Sequence, residues 1–307
     1  MKNRGYDYPD VISPLDEPLP VAFFYALHYP HSTEAEWRRK IETGQVSLNG
    51  RPAALGDVLK RGDRLVYHRP PWEEPDAPRE FVTLFEDDDV LALDKPSGLP
   101  VLPGGFFLEN TLLYMVRMRY GTGCSPLHRL GRGTSGAILF TRNRPAARFL
   151  ATAMSERRIL KVYLALASGT GMPDAFTVDA PIGPVPHTLP PTVNAYRPGP
   201  GGRPSTSHVR VVRRIPDGNA SVLEVTIPTG RPHQIRIHLA FAGCPLVGDP
   251  LYAAGGLPRA DGVDDEIAAT PGATGYLLHS WKIRFPHPSR AEEVDVVSPP
   301  PKALRPA

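Results

Sequence analysis

A proline-rich stretch at residues 69–78, Arg-Pro-Pro-Trp-Glu-Glu-Pro-Asp-Ala-Pro, divides the chain into two segments of different character. Proline fixes its own φ and donates no backbone hydrogen bond, so such a run can continue neither a helix nor a central strand. Runs of this kind act as semi-rigid spacers. We therefore predict a linker at residues 69–80, preceded by a small module and followed by a larger domain over residues 81–298.

The composition is that of a folded chain long enough for both segments. Of 307 residues, 41% are hydrophobic and 22% are charged, which is ordinary for globular proteins. The formal net charge of +3 is too small to identify a polyanionic partner, since only local clustering matters. Cys124 and Cys244 are too few for a zinc site or a disulfide framework, so we expect no metal and a reducing compartment.

No stretch of the sequence approaches the ~18 apolar residues that cross a bilayer. Residues 1–20 also lack the charged-then-apolar pattern of a signal peptide. We therefore expect a cytoplasmic protein without membrane contacts, and we take a monomer as the default.

The segment before the linker begins with an irregular stretch, residues 1–27, which we predict to be an N-terminal arm. Thr33, followed three residues later by Glu36, is typical of a capping box at the start of a helix. Gly44 ends that helix. Residues 45–52 then alternate apolar and polar positions up to an Asn-Gly turn, which predicts a hairpin, and residues 58–67 supply a further turn and strand.

This order of elements resembles the second half of an S4-type RNA-binding module, which we assign to residues 28–68. The resemblance implies contact with RNA. Arg38, Arg39 and Lys40 occupy consecutive positions on the predicted helix and are candidates for gripping phosphates. A solvated helix face is the alternative for this triplet.

The larger domain opens with two predicted strands at residues 81–85 and 90–93, joined by the acidic run 86–89. A tight polar turn explains these acids better than a metal site does. The strands and helices that follow come in mixed order, which favours an α+β fold. We predict surface loops at 183–207 and 253–275, and a frayed tail at 299–307.

Four segments of this domain carry a recognisable pattern. They are residues 85–101 with Lys-Pro-Ser-Gly-Leu, residues 128–136 reading His-Arg-Leu-Gly-Arg-Gly-Thr-Ser-Gly, residues 160–165 reading Leu-Lys-Val-Tyr-Leu-Ala, and residues 229–252, from Thr-Gly-Arg-Pro-His-Gln-Ile-Arg to Gly-Asp-Pro-Leu-Tyr. Together, in this order, they resemble the RluA-like pseudouridine synthases. The central motif of that family is His-Arg-Leu-Asp-x-x-Thr-Ser-Gly.

The resemblance implies a mixed, mostly antiparallel sheet with flanking helices. It also implies an enzyme that isomerises uridine to pseudouridine in ribosomal or transfer RNA, with no cofactor, after flipping the target base out of its stack. By the same resemblance, Arg129 helps to displace the base, Tyr163 packs on the uracil, and Arg236 pairs with the catalytic carboxylate. Taken alone, Arg129 could form a structural salt bridge and Tyr163 could be a half-buried strand residue.

The position of the family's catalytic Asp is occupied here by Gly131, which has no side chain. Asp94, Asp249 and the acids of the turn at 87–89 match structural positions, so none is an obvious substitute. Arg236 would then face no partner, and an unpaired charge in a pocket is costly. We expect compensation by a carboxylate from elsewhere, water or a bound phosphate.

Two functions follow. The first is a synthase with an unidentified replacement for the Asp, and the second is an inactive RNA-binding homologue acting in RNA folding or ribosome assembly. An altered chemistry in the same pocket is a third reading.

Basic clusters support RNA binding independently of the resemblance. Residues 141–162 hold six basic side chains against one acid, and a helix is predicted within them at 145–155. Arg203, Arg210, Arg213 and Arg214 form a second cluster. A groove lined by both would bind an RNA backbone in a salt-dependent way, although each cluster alone could be solvated surface. The candidate RNA-binding residues in the larger domain are His128, Arg132, Arg142, Arg148 and Arg231; if 231–236 is a strand, Arg231 and Arg236 face opposite sides.

Overall fold

A computed structural model describes residues 2–13, 17–29, 31–184, 196–258 and 274–306. The chain divides into two compact units, residues 1–74 and residues 75–307. The boundary falls inside the stretch predicted as a linker.

The first unit is a four-stranded antiparallel sheet with two helices. Its elements are β1 (Tyr6–Val11), α1 (Val21–His28), α2 (Glu34–Glu42), β2 (Val46–Leu48), β3 (Arg51–Pro52) and β4 (Arg64–Arg69). The strand order is β1-β4-β2-β3. The Thr33 hydroxyl and the Glu36 carboxylate form the capping box that begins α2. The chain reverses between β2 and β3 at Asn49-Gly50, where both residues have positive φ.

The prediction of an irregular arm over residues 1–27 was wrong. β1 pairs along its whole length with β4, and α1 contributes Val21, Phe24 and Tyr25 to the core around Trp37. The Tyr25 ring stacks on the Trp37 ring at a centroid distance of 4.3 Å. β1 lies at the sheet edge, where a proline such as Pro9 is tolerated. The proline and the two aspartates of β1 are unfavourable for a strand, so its pairing with the distant β4 could not be predicted from local sequence.

The second unit contains the remaining elements. They are β5 (Val82–Glu86), β6 (Val90–Lys95), α3 (Leu112–Tyr120), β7 (Ser125–Pro126), β8 (Ser135–Thr141), α4 (Arg144–Ser155), β9 (Leu160–Ser168), β10 (Ala175–Asp179), β11 (Ile182–Pro184), β12 (Tyr196–Pro198), β13 (Thr206–Ile215), β14 (Ala220–Thr226), α5 (Gln234–Phe241), β15 (Leu278–Pro286) and β16 (Glu293–Val297).

A ten-stranded sheet organises this unit in the order β10-β13-β14-β9-β15-β8-β6-β5, with β16 paired to β15 and β7 to β8. The pairing of β15 with β8 is parallel, and the other strand pairs recorded in this sheet are antiparallel. The predicted α+β class and the mostly antiparallel sheet are therefore confirmed.

Gly136, the last residue of the His-Arg-Leu motif, makes the parallel pairing possible. It lies opposite Ser280 of β15 with φ +103°, and a Cβ at this position would overlap the Ser280 backbone. Glycine alone combines that φ with so close an approach. The motif therefore fixes where β15 inserts into the sheet.

Helices cover both faces of the sheet. On one face, here called the front face, side chains of β6, β8, β9, β14 and β15 pack with Leu112 of α3 and Leu239 of α5. On the opposite face, Leu150 and Ala153 of α4 pack against residues of β6, β8, β15 and β16. Because side chains alternate along a strand, each functional residue can be assigned to one face from its position.

Two further expectations need correction. Residues 302–304 form a turn of 3-10 helix in which Leu304 is buried against Leu164 and Val222, so the described part of the predicted tail at 299–307 is not frayed. The predicted loop at 183–207 includes the ribbon of β11 and β12 and the start of β13. Its central part, 185–195, and most of the predicted loop at 253–275, namely 259–273, lie outside the described residues.

The acidic run 86–89 forms a polar turn. The Asp87 carboxylate accepts hydrogen bonds from the Asp89 and Val90 amides, and His287 Nε2 lies 2.6 Å from it. Within the described ranges there is no cluster of residues that could hold a metal ion. The helices in those ranges are also too short or too polar to span a membrane.

Candidate active site

Arg236 lies in the first turn of α5, at the edge of the front face. The chain enters this helix through His233, which has a left-handed backbone (φ 56°). Residues 231–236 are therefore a turn followed by a helix, and the spacing of Arg231 and Arg236 expected for a strand does not apply. The Arg236 side chain is buried, with only 3% of the residue exposed, and burial holds it in one orientation.

A buried carboxylate pairs with Arg236. Asp249 accepts hydrogen bonds from Arg236 Nε at 2.7 Å and Nη2 at 2.6 Å. It also accepts bonds from the backbone amides of Leu251 and Tyr252. The pairing with Asp249 raises the pKa of Arg236 although burial lowers it. The expectation that Arg236 would face no partner was therefore wrong, since the carboxylate comes from the Gly-Asp-Pro-Leu-Tyr segment.

Two tyrosine rings complete the surroundings of this guanidinium. Its carbon lies 4.5 Å from the ring centre of Tyr276 and 5.1 Å from that of Tyr252. The Tyr252 hydroxyl is 2.9 Å from His233 Nδ1. Burial lowers the pKa of His233 to about 3, helped by the charge of Arg236. His233 is therefore neutral and holds Tyr252 in place.

Gly131 lies near this cluster. It is exposed, and the Thr134 amide donates to its carbonyl oxygen to close a turn. A Cβ built on Gly131 would lie 3.2 Å from the Tyr276 hydroxyl oxygen and 3.5 Å from Thr134 Oγ1. Tyr276 therefore links the position expected for the catalytic carboxylate to Arg236.

Tyr163 lies on β9 in the front-face core, only 6% exposed. Burial raises its pKa to about 12, against a smaller effect of the neighbouring Ser280 hydroxyl. Lys161 lies two residues earlier on β9, with Nζ 3.5 Å from the Thr229 carbonyl oxygen and 3.7 Å from Met154 Sδ of α4. Burial lowers the pKa of Lys161 to about 8. The Lys-Val-Tyr segment therefore directs the phenolic side chain to the face on which Arg236 packs and holds a buried cation at the start of β9.

The 128–136 loop is held by a buried lysine. Lys95 Nζ donates to the carbonyl oxygens of Pro96 at 2.8 Å, Leu99 at 2.7 Å and Arg132 at 3.2 Å. In turn, the Arg132 guanidinium donates a hydrogen bond to the Gly98 carbonyl oxygen. The Lys-Pro-Ser-Gly-Leu segment and the central motif are thereby tied together.

The two basic residues that begin the motif differ in their surroundings. His128 Nε2 accepts a bond from the Leu139 amide, and burial lowers the pKa of this histidine to about 3, so it carries no charge for phosphate. Arg129 is exposed, and it makes no hydrogen bond or ion pair with the described part of the chain. Arg129 is thus available to a ligand, whereas His128 and Arg132 hold the loop.

The other candidate RNA-binding residues divide in the same way. Arg38 pairs with Glu34, Lys40 packs over the Trp37 ring, Arg142 bonds Glu86 and the Asp87 carbonyl, and Arg231 bonds the Pro204 carbonyl. Arg39 and Arg148 are exposed, and their side chains form no bond to residues that the structure describes. These two lie in different units, Arg39 on α2 and Arg148 on α4.

Sequence reasoning missed Tyr276, and it assigned Asp249 and Lys95 no part in the site. The Gly-Asp-Pro-Leu-Tyr and Lys-Pro-Ser-Gly-Leu patterns were visible, but their side-chain partners depend on tertiary contacts. No sequence signal marked Tyr276.

The model of the RNA pseudouridylate synthase family matches residues 89–241. The chain is 38% identical to RNA pseudouridine synthase 5 of Arabidopsis thaliana, over 99% of this chain and 95% of that protein. It is 30% identical to ribosomal large subunit pseudouridine synthase D of Neisseria meningitidis serogroup B, over 90% of this chain and 73% of that protein. Human RNA Pseudouridylate Synthase Domain Containing 1 is similar in structure, with a TM-score of 0.57 and 26% identity over 76% of this chain and 89% of that chain.

The fold is thus that of the RNA-modifying isomerases. The chain belongs to the RNA pseudouridine synthase family.

Proposed function

We propose that this protein is an active RNA pseudouridine synthase that isomerises uridine within structured ribosomal or transfer RNA, although Gly131 occupies the position of the expected catalytic Asp. The observation that carries the proposal is the buried, bidentate pair of Arg236 and Asp249. Burying two charges is expensive, and binding to an RNA backbone needs only exposed ones. Binding to an RNA backbone makes no direct use of this pair, which also stabilises the second unit.

The residues have distinct parts in the proposed reaction. Arg129, exposed and without a partner in the described chain, enters the RNA helix and displaces the target base. Tyr163 packs on the displaced uracil, and such stacking contributes about 1–3 kcal/mol per base. The hydrogen bonds of Lys95 keep the motif loop in place while the base enters. The reaction is an isomerisation and needs no cofactor.

Binding outside the pocket is assigned to exposed cations. Arg148 on α4 and Arg39 on the S4-like first unit contact phosphates, which makes affinity fall steeply with salt. Cytoplasmic location and a monomeric state belong to the same proposal.

The test is pseudouridine mapping by carbodiimide-induced primer-extension stops in RNA from cells with and without the protein. Deletion should remove at least one stop, and wild-type protein should restore it. Tyr163→Leu, which removes the stacking ring, should fail to restore the stop while binding the same RNA. The double change of Arg236→Met with Asp249→Leu, which leaves no unpaired buried charge, should fail in the same way. Tyr120→Leu is the matched control, because Tyr120 also packs against the front-face core but its hydroxyl lies 2.7 Å from the Thr83 hydroxyl and outside the proposed site.

Gly131 itself favours a second candidate, an RNA-binding homologue without activity. In that case no stop depends on the protein, while RNA binding persists in Tyr163→Leu. Unchanged stops after deletion, together with no product from purified protein on ribosomal and transfer RNA, would overturn the enzymatic proposal.

A further inference from the structure

The space beside Gly131 is bounded by hydroxyl groups. A Cβ there would meet the Tyr276 hydroxyl oxygen at 3.2 Å and Thr134 Oγ1 at 3.5 Å. Gly131 is exposed, so its side of this space faces solvent, whereas Thr134 and Tyr276 are buried. We call Gly131, Thr134 and Tyr276 the hydroxyl notch. The φ of Gly131 lies outside the left-handed region, so the backbone conformation does not require glycine here, and a Cβ would make a close contact with the Tyr276 hydroxyl.

Tyr276 is held firmly in the notch. It is 3% exposed, and its hydroxyl lies 3.4 Å from Thr134 Oγ1. Its ring centre lies 4.5 Å from the Arg236 guanidinium carbon, and two hydrogen bonds to Asp249 fix that guanidinium. The hydroxyl is therefore positioned before any ligand arrives.

The carboxylates considered as substitutes for the missing Asp are committed elsewhere. Asp249 is buried and accepts four hydrogen bonds. Asp94 follows Leu93 on β6, and Leu93 packs into the front-face core, so the Asp94 side chain projects to the opposite face. The groups that line the notch are neutral hydroxyls.

We propose that Tyr276 is a catalytic residue whose hydroxyl, with that of Thr134, binds the 2′-hydroxyl of the target uridine. This inference rests on the proposed function. Two hydroxyls about 3.4 Å apart can both bond one guest oxygen, because each can donate or accept. The contact holds the ribose in place while the base is detached. Tyr276 forms no covalent bond with the RNA and keeps its proton throughout. It also selects RNA over DNA, because only ribose carries the 2′-hydroxyl.

The experiment compares two forms of the RNA that loses pseudouridine on deletion, one with uridine and one with 2′-deoxyuridine at the target. On the ribose form, Tyr276→Phe should lower kcat/KM about tenfold, the size of one lost neutral hydrogen bond. On the deoxy form, wild type and Tyr276→Phe should agree within about twofold. Tyr120→Phe should match wild type on both forms.

Gly131→Ala provides a second variant should Tyr276→Phe unfold, since its methyl group narrows the notch from the other side. It should show the same selective loss on the ribose form, with an unchanged circular dichroism spectrum. Wild-type kcat/KM in both variants, with Tyr163→Leu inactive, would overturn the role of Tyr276 and leave the proposed function intact. An equal deficit on both RNAs would overturn the ribose contact. A wild-type protein inactive on every RNA would instead remove the proposed function and this inference with it.

Discussion

Replacing Asp249 by alanine should destabilise the second unit severely. The substitution leaves the buried Arg236 guanidinium without its bidentate partner, and breaking a buried ion pair costs about 3–5 kcal/mol. It also removes the acceptor for the buried Leu251 and Tyr252 amides. We expect a loss of about 5 kcal/mol in the free energy of unfolding, which is a large part of the stability of a typical domain.

Urea unfolding followed by pulsed hydrogen–deuterium exchange measures this loss, because peptides from β9, β14 and β15 report the second unit separately. Asp295→Ala is the matched control: Asp295 also pairs with an arginine, Arg284, through two bonds, but both side chains are more than half exposed. The control should unfold at the same urea concentration as wild type.

A combined Arg236→Met and Asp249→Leu change should recover much of the loss, since it removes both charges together. An Asp249→Ala midpoint equal to that of Asp295→Ala would refute the view that desolvation makes this pair structurally critical. A double variant no more stable than Asp249→Ala would refute the assignment of the loss to the unpaired guanidinium. Activity of the double variant should remain lost, because stability is recovered without the guanidinium.

Three more outcomes are expected. Burial lowers the pKa of Lys95 to about 7 in the folded protein, whereas the ordinary lysine value is 10.5. Between these two pH values the unfolded chain binds more protons than the folded one. The free energy of unfolding should therefore rise with pH over this range, by up to about 1.4 kcal/mol per pH unit. Lys95→Met should abolish that slope in urea titrations, and a slope shared by both proteins would assign it to other groups. Gly136→Ala should cost about 3 kcal/mol or more in thermal unfolding, from the positive φ and the overlap with Ser280, whereas Gly171→Ala, with open space around its Cβ, should resemble wild type. Leu304→Ala should lower the free energy of unfolding by about 2–5 kcal/mol, because it leaves a cavity beside Leu164 and Val222. A decrease below about 0.5 kcal/mol would show that Leu304 does not contribute to the core.

Local signals in the sequence were sufficient for much of the fold. The capping box at Thr33 and the apolar spacing at 145–155 correspond to α2 and α4, because caps and periodicity act within a few residues. The edge strand β1 was missed, since its pairing with β4 joins residues about sixty positions apart and its own composition opposes a strand.

In the candidate site, too, local sequence signals were predictable and tertiary contacts were not. Motif matching identified Tyr163 and Arg236, but not the bond between Arg236 and Asp249, because that contact depends on how α5 packs beside the segment after it. Tyr276 follows the undescribed residues 259–273 and carries no local pattern. Its relation to Gly131 spans 145 positions and exists only in the folded chain.

The insertion of β15 has a consequence for synthesis of the chain. β15 lies between β9 and β8, so until residues 278–286 have left the ribosome the large sheet exists as two separate halves with unpaired inner edges. Exposed strand edges promote association between chains. A ribosome that stalls before residue 278 would therefore release an aggregation-prone product, and the nascent protein needs protection until β15 has been made.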